Sequence, residues 1–317
     1  MKDNHIAILD LGTNTFHLLI ALIRGDQYRI IRRKKFAVKL GEGGINKGII
    51  TEEAWERGIS AIREIRELID AHHINEIKAI ATSAIRNASN GHAFIDALRT
   101  SAGINATIID GDQEAEYIYY GVRQAIPIGD LPVLIMDIGG GSVEFILANQ
   151  HEIFWKKSFE IGAQRLFDLF HRHDPVNGND VLKLRNYLEL ILHPLVPLLN
   201  KFKPETLIGC SGTFETLGHI YCHRRNAHPI QNGREVPITR EAFFSIHQML
   251  ISKNKSGRLA IPGMSPMRAD LISMSSLLIH YMLTKFEFSH LKGSFYSLKE
   301  GILSEIVDHA QIVELSA

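Results

Sequence analysis

The chain has 317 residues, 45% hydrophobic and 22% charged, and its 35 Lys+Arg balance 35 Asp+Glu to a formal net charge of zero. This length predicts two domains of about 150 residues each, and the charge balance excludes a global field that would draw the chain to nucleic acid or a membrane, leaving any polyanion to a local groove. With Cys210 and Cys222 the only cysteines, no leader-like start in MKDNHIAILDLG and no run of 18 apolar residues, the expectation is a soluble cytoplasmic protein without a disulfide framework.

Strand-like runs alternate with helical patterns along most of the chain, which indicates an α/β protein. IAILDLG and FHLLIALI, joined through Thr13 and Asn14, read as a hairpin, and QYRIIRRKKFAVKL continues as a third strand. Thr51 is a plausible N-cap for a helix whose Trp55, Ile59, Ile62, Ile65 and Ile69 share one face, with Glu52 and Glu53 in its first turn. Strands EIKAIATS and ATIIDG follow, with a helix near 91–102 between them. The same order then restarts: VLIMDIGG, SVEFILAN and HEIFWKKSFEIG read as strands, helices are expected near 163–173 and 179–201, and TLIGCSG is a further strand. LISMSSLLIHYML, 271–283, reads as a packed helix, too short and too serine-rich to span a membrane.

The restart is a repeat. AILDLGTNTFHLLIA (7–21) lies over LIMDIGGGSVEFILA (134–148), matching Asp10 with Asp137 and Gly12 with Gly139 at an offset of 137 − 10 = 127. A recurrence at domain length indicates a duplicated domain. The proline-bearing AIPIGDLP, 125–132, marks the boundary. The expected domains are therefore 1–125 and 126–317, with the possibility that the last helix packs back on the first.

Three consecutive glycines, Gly139 to Gly141, weaken a strand unless something must approach its backbone. Successive amide N–H groups in such a turn make a concave anion site. Asp137 and Glu144 flank this turn and have the oxygen donors a divalent cation takes; Thr13 and Thr15 add hydroxyls to the first turn. A plain hairpin remains the alternative, and it fits DLGTN more readily than DIGGGSVE. Arg86, in ATSAIRNASNG, follows a buried strand where sites are common. Glu114, in GDQEAEYIYYGV, stands in a helical first turn, where a carboxylate is ordinarily a helix-dipole partner.

These segments together resemble the exopolyphosphatase and guanosine pentaphosphate phosphatase (Ppx/GppA) family of the actin, sugar kinase and Hsp70 superfamily. The resemblance runs in order through ILDLGTNTFHLLI, ATSAIRNASN, DGDQEAEYIYYGV, DIGGGSVEF, IGAQRL, GCSGTFETL, PGMSPMRAD and SLKEGIL. It implies two duplicated ribonuclease H-like (actin-like ATPase) domains facing a central cleft, and Mg²⁺-assisted hydrolysis of a terminal phosphoanhydride, with K⁺ as a second candidate cation. It implies Glu114 as general base and Asp137 and Glu144 as metal carboxylates. The implied phosphate-binding residues are Asp10, Gly12, Thr13, Asn14, Thr15, His17, Gly139, Gly140, Gly141 and Ser142, with Arg86 and Arg268 offsetting substrate charge. Inorganic polyphosphate is the expected substrate, guanosine pentaphosphate the alternative, a non-catalytic sensor of the same fold a third reading, and a homodimer the expected assembly.

Two departures stand out. His17 occupies a position where members commonly carry arginine, which would make the local charge depend on pH. The chain as given also stops short of the helical, HD-like region of long members, which leaves chain-length preference and processivity on long polyphosphate open. Elsewhere, the run Arg32, Arg33, Lys34, Lys35 reads as a solvated strand edge. His219, Cys222, His223 and His228 lack the companions of a zinc motif, and Cys210 reads as a small buried residue.

Overall fold

The computed structural model describes residues 4–25, 27–227 and 233–307. The chain divides into two compact units, Met1–Gln124 with Ser297–Ala317, and Ala125–Tyr296.

In chain order the first unit contains β1 (Asn4–Leu11), β2 (Thr15–Arg24), β3 (Gln27–Ala37), α1 (Glu52–Ala71), β4 (Glu76–Ala81), α2 (Ser83–Arg86), α3 (Gly91–Ala102), β5 (Ala106–Ile108) and α4 (Gly111–Ala125). β1, β2 and β3 are antiparallel, and β4 and β5 extend the sheet parallel to β1 in the order β3-β2-β1-β4-β5. One sheet face carries Leu9, Leu11, Phe16, Leu18 and Ile20, which pack with the stripe Ile59, Ile62, Ile65 and Ile69 of α1 and with Phe94 and Leu98 of α3. The Thr51 hydroxyl accepts from Ala54 N at 3.3 Å, so the sequence-expected cap forms. On edge strand β3 the basic run alternates: Lys34 meets Glu64 of α1, whereas Arg33 lies 3.5 Å from Glu300. The run is thus split between two faces.

The second unit contains β6 (Val133–Ile138), β7 (Val143–Ala148), β8 (Ile153–Phe159), α5 (Ala163–Phe170), α6 (Gly178–Ile191), α7 (Val196–Phe202), β9 (Thr206–Cys210), α8 (Ser211–Arg224), β10 (Glu235–Val236), α9 (Arg240–Ile251), α10 (Lys255–Leu259), α11 (Ile272–Lys285) and β11 (His290–Ser294). Its sheet runs β10-β11-β9-β6-β7-β8, so β3-β2-β1-β4 recurs as β8-β7-β6-β9. Strand directions recur too: β6 to β8 are antiparallel and β9 is parallel to β6. The protein is therefore a mixed α/β chain of two ribonuclease H-like domains. α11 is buried along most of its length, as a packed helix should be.

One expectation changes. The stretch 179–201 is two helices, because Pro194 and Pro197 lack the N–H groups needed to continue the first one, and a short 3₁₀ turn joins α6 to α7. The last helix, α12 (Leu298–Ile306), groups with the first unit, the packing that the sequence reading had left open. There Gly301 lies against the Tyr117 backbone and Gly121 against the Ser297 backbone, where any Cβ would overlap main-chain atoms. Tyr117 donates to Glu305 at 3.0 Å and Gln124 to Ser304 at 2.9 Å.

Candidate functional site

In both units the site residues follow the carboxyl ends of parallel strands, the position where open α/β sheets bind ligands. The first turn links β1 to β2. Gly12 N donates to Thr15 O at 3.2 Å, closing the turn, and Asp10 stands directly opposite His17 on the neighbouring strand. His17 in turn is opposite Lys35 of β3, so Asp10, His17 and Lys35 form one row on one sheet face. Thr13 O accepts from Gly41 N at 2.9 Å, and Asn14 O accepts from Val38 N and Lys39 N at 3.1 and 2.9 Å. A trans peptide unit points its C=O and N–H in opposite directions. The Asn14 and Thr15 amides therefore face away from residues 38–41. Both polar atoms of the Asn14 side chain are buried without a hydrogen-bond partner, a costly arrangement unless a ligand meets them.

The second turn repeats this closure at the 127-residue offset: Gly139 N donates to Ser142 O at 3.1 Å, and Asp137 stands opposite Glu144. Its carbonyls are all taken from behind. Gly162 N donates to Gly141 O at 3.0 Å, Ala163 N to Gly139 O at 2.9 Å, and Gln164 N to Gly140 O at 2.8 Å. Arg165 Nε adds a bond to Gly141 O at 2.9 Å. Amides that would be orphaned at the start of α5 thus satisfy the glycine carbonyls. By the same peptide geometry, the N–H groups of Gly140, Gly141 and Ser142 point away from α5, three consecutive amides of the kind that can cradle an anion.

Asp137 and Glu144 are both buried, at 5% and 1% exposure, and Glu144 accepts from Ser158 Oγ of β8 at 2.7 Å. Asp137 accepts from Ser211 Oγ at 2.5 Å and from Cys210 Sγ at 3.3 Å. Cys210 is buried, as expected, but the sequence reading missed its contact with the site. Arg268 lies over Gly212, with Nε 2.6 Å from where a Cβ would stand. Burial lowers the pKa of Arg268, against the opposing pull of the Glu215 and Asp137 carboxylates. The structure thus brings Asp137, Gly139 to Ser142, Glu144 and Arg268 together within the second unit.

Arg86 and Glu114 come together within the first unit. Arg86 donates from Nη1 to Glu114 Oε2 at 2.7 Å and to Ile109 O at 3.1 Å. Glu114 is buried, unlike the solvated helix-dipole carboxylate of the bland reading. Read from sequence, these two residues had separate tasks, and the structure makes them an ion pair.

Among the described residues no group of three or more His, Cys, Asp or Glu side chains is placed to hold a metal, and His228 lies outside the described residues. Asp137 and Glu144 form a pair of hard oxygen donors. This fits Mg²⁺, which is commonly held by one or two carboxylates with water and substrate phosphate completing its shell. No helix among the described residues is long and apolar enough to cross a membrane.

The class this architecture defines is the duplicated ribonuclease H-like α/β protein with a glycine turn in each half. The chain belongs to the Ppx/GppA phosphatase family, whose model matches residues 19–310, and it is accordingly a hydrolase. It is 29% identical over 289 residues to exopolyphosphatase 2 of Mycobacterium tuberculosis, covering 88% of this chain and 90% of that protein. A crystal structure of an exopolyphosphatase from Cytophaga hutchinsonii is 42% identical and superposes with a TM-score of 0.93, covering 96% of this chain and 98% of that one. The Aquifex aeolicus PPX-GPPA enzyme is 26% identical with a TM-score of 0.76, covering 96% of this chain and all of that one, 100%.

Proposed function

We propose that this hydrolase is an exopolyphosphatase, releasing terminal phosphate from inorganic polyphosphate by attack of a water that Glu114 activates as general base. The observation that carries the reading is the second turn: three amides aimed one way, beside the buried carboxylate pair Asp137–Glu144. An anion cradle next to a hard-oxygen cation site is the equipment phosphoryl transfer needs, because catalysis there is mostly positioning and charge stabilisation. The exopolyphosphatases among its relatives support the substrate class.

Asp137 and Glu144 would hold Mg²⁺, which when bound neutralises charge on phosphate oxygens. Each turn by itself would donate to phosphate oxygens, through the amide N–H groups of Gly140, Gly141 and Ser142 in one unit and of Asn14 and Thr15 in the other, with the unpartnered Asn14 side-chain amide as a further contact. Arg86 orients the Glu114 carboxylate through their 2.7 Å bond. Arg268 supplies positive charge beside Asp137. A cytoplasmic setting belongs to the same proposal, and two buried cysteines that form no disulfide suit it.

The test is phosphate release from short polyphosphate, long polyphosphate and guanosine pentaphosphate, with and without Mg²⁺ and K⁺. Release from short polyphosphate that needs Mg²⁺ is the expected result. Faster release from guanosine pentaphosphate would transfer the assignment to that substrate, and binding without release would make the chain a sensor. Glu114→Gln should lower kcat by about 10² to 10⁴ with little change in substrate binding. Wild-type turnover in that variant removes Glu114 as the base.

A further inference from the structure

We infer that Ser211 is a positioning residue that clamps the Asp137 carboxylate and holds a strained backbone to do so. The inference rests on the reading of Asp137 as a cation ligand.

Ser211 is the first residue of α8, immediately after the carboxyl end of β9, and Cys210 pairs with Asp137 across the parallel β6–β9 ladder. Its φ is +69°, in the left-handed region that a residue with a Cβ adopts at a cost and glycine adopts freely. Glycine stands one position later, at Gly212, where the Arg268 guanidinium leaves no room for a Cβ. The chain thus places glycine where space demands it and serine where the backbone would favour glycine. Strain kept at one residue points to a function for its side chain.

The hydroxyl supplies that function. Ser211 Oγ donates to Asp137 Oδ1 at 2.5 Å while Cys210 Sγ donates to Oδ2 at 3.3 Å, so the β9–α8 junction holds both carboxylate oxygens. An ionised carboxylate has about four acceptor directions, so two donors set the plane of the group without exhausting its capacity to bind a cation. Groups that orient a ligand in this way tune the metal as strongly as many ligands do. Ser158, donating to Glu144 at 2.7 Å, is the matching support on the other carboxylate, but its backbone carries no such strain.

The test uses the full chain as Ser211→Gly, Ser211→Thr and Asp137→Asn, melted with and without Mg²⁺ and titrated calorimetrically with Mg²⁺ alone, before phosphate release is measured. Ser211→Gly relieves the strain and removes the hydroxyl. It should melt about 2–4 °C above wild type without Mg²⁺, yet bind Mg²⁺ about 10- to 100-fold more weakly and need correspondingly more Mg²⁺ for phosphate release. Ser211→Thr keeps the hydroxyl on a more strained backbone, so it should melt lower and bind Mg²⁺ like wild type. A serine with only a structural role would move the melting temperature alone. If Asp137→Asn loses Mg²⁺ affinity and Ser211→Gly keeps it, the positioning role is overturned while the cation site stands. If Asp137→Asn binds Mg²⁺ like wild type, the cation assignment falls and the inference with it.

Discussion

The two glycine turns are the same turn with different chemistry. Both close through one bond, Gly12 N to Thr15 O at 3.2 Å and Gly139 N to Ser142 O at 3.1 Å, and both follow the central strand of the same four-strand pattern. Across each hairpin the row of side chains differs: Asp10, His17 and Lys35 in the first, Asp137, Glu144 and Ser158 in the second. The first row sets a histidine and a lysine beside one carboxylate, which under the proposed roles suits an anion. The second gathers two carboxylates and a hydroxyl, which suits a cation. The backing differs as well, since a loop supports the first turn and the start of a helix supports the second. The two turns share one backbone pattern, and under the proposed roles the difference at one register position, 17 against 144, divides the labour between them.

The largest expected effect tests that backing. A Cβ at Gly162 would overlap the Gly140 and Gly141 backbone, whereas one at Gly41 would sit 2.5 Å from Thr13 Cγ2, a side-chain atom that can move. Gly162→Ala should destabilise the protein by about 1–3 kcal/mol or more and remove most activity. Gly41→Ala should cost clearly less in both. Equal losses in urea midpoint and phosphate release would mean that the two turns are held alike.

Next comes the row position itself. Glu144→Gln keeps the shape and removes the charge that sets the second row apart from the first. The Mg²⁺ concentration for half-maximal phosphate release should rise about 10- to 100-fold, with stability little changed. An unchanged Mg²⁺ curve places the cation elsewhere and ends the division of labour between the rows.

The first turn's pattern, the 127-residue offset and the facing pair Asp137 and Glu144 were legible because the repeat keeps aspartate and glycine at matching positions, and three consecutive glycines have few purely structural explanations. The ion pair of Arg86 with Glu114 was not legible. Arg86 ends the short α2 and Glu114 stands in the first turn of α4, 28 residues apart, and no local periodicity joins them. Ser211 was hidden for a different reason: positive φ is written in a sequence mainly by glycine, and here serine holds it. The return of α12 to the first unit depends on the match between Gly121 and Gly301, which have nothing in common in the sequence until the helices cross. IGAQRL was visible as a motif, but the role of Gly162 and Arg165 in holding glycine carbonyls emerged only with the fold.

Acid should separate the two units further. In the second, His247 of α9 stacks on His280 of α11 with ring centroids 4.5 Å apart, and its Nδ1 lies 2.8 Å from Ser276 Oγ. Burial, then the charge of His280, pushes the pKa of His247 down to about 3 from its usual 6.5, and burial, then Arg185, lowers that of His280. Below pH 6.5 the unfolded chain takes up protons that the folded one refuses. The stability these imidazoles leave intact at neutral pH is therefore lost as pH falls from 6.5 towards 3, by about 2 kcal/mol at pH 5 for His247 alone. Because α11 packs on α5, which backs the second turn, that turn should loosen before the first. Urea midpoints between pH 7 and 5 should fall less in His247→Gln than in wild type, and parallel slopes would clear His247 of the effect.

The smallest effect concerns His17. Register puts it opposite Asp10 and beside Lys35 on the same sheet face, the position that Glu144 holds in the second unit. An unperturbed imidazole gains its charge only below about pH 6.5, whereas arginine carries it throughout. In His17→Arg the KM for short polyphosphate should fall about fivefold at pH 8, the worth of one unit charge at close range in a well-solvated site, and hardly at all at pH 6. Lys35→Gln should instead raise KM by the same factor at pH 6 and pH 8. This contrast tells the two residues of one row apart, by whether the effect of the substitution depends on pH. A His17→Arg shift of equal size at both pH values, or none, would remove His17 from substrate binding and leave Lys35 as the row's cation.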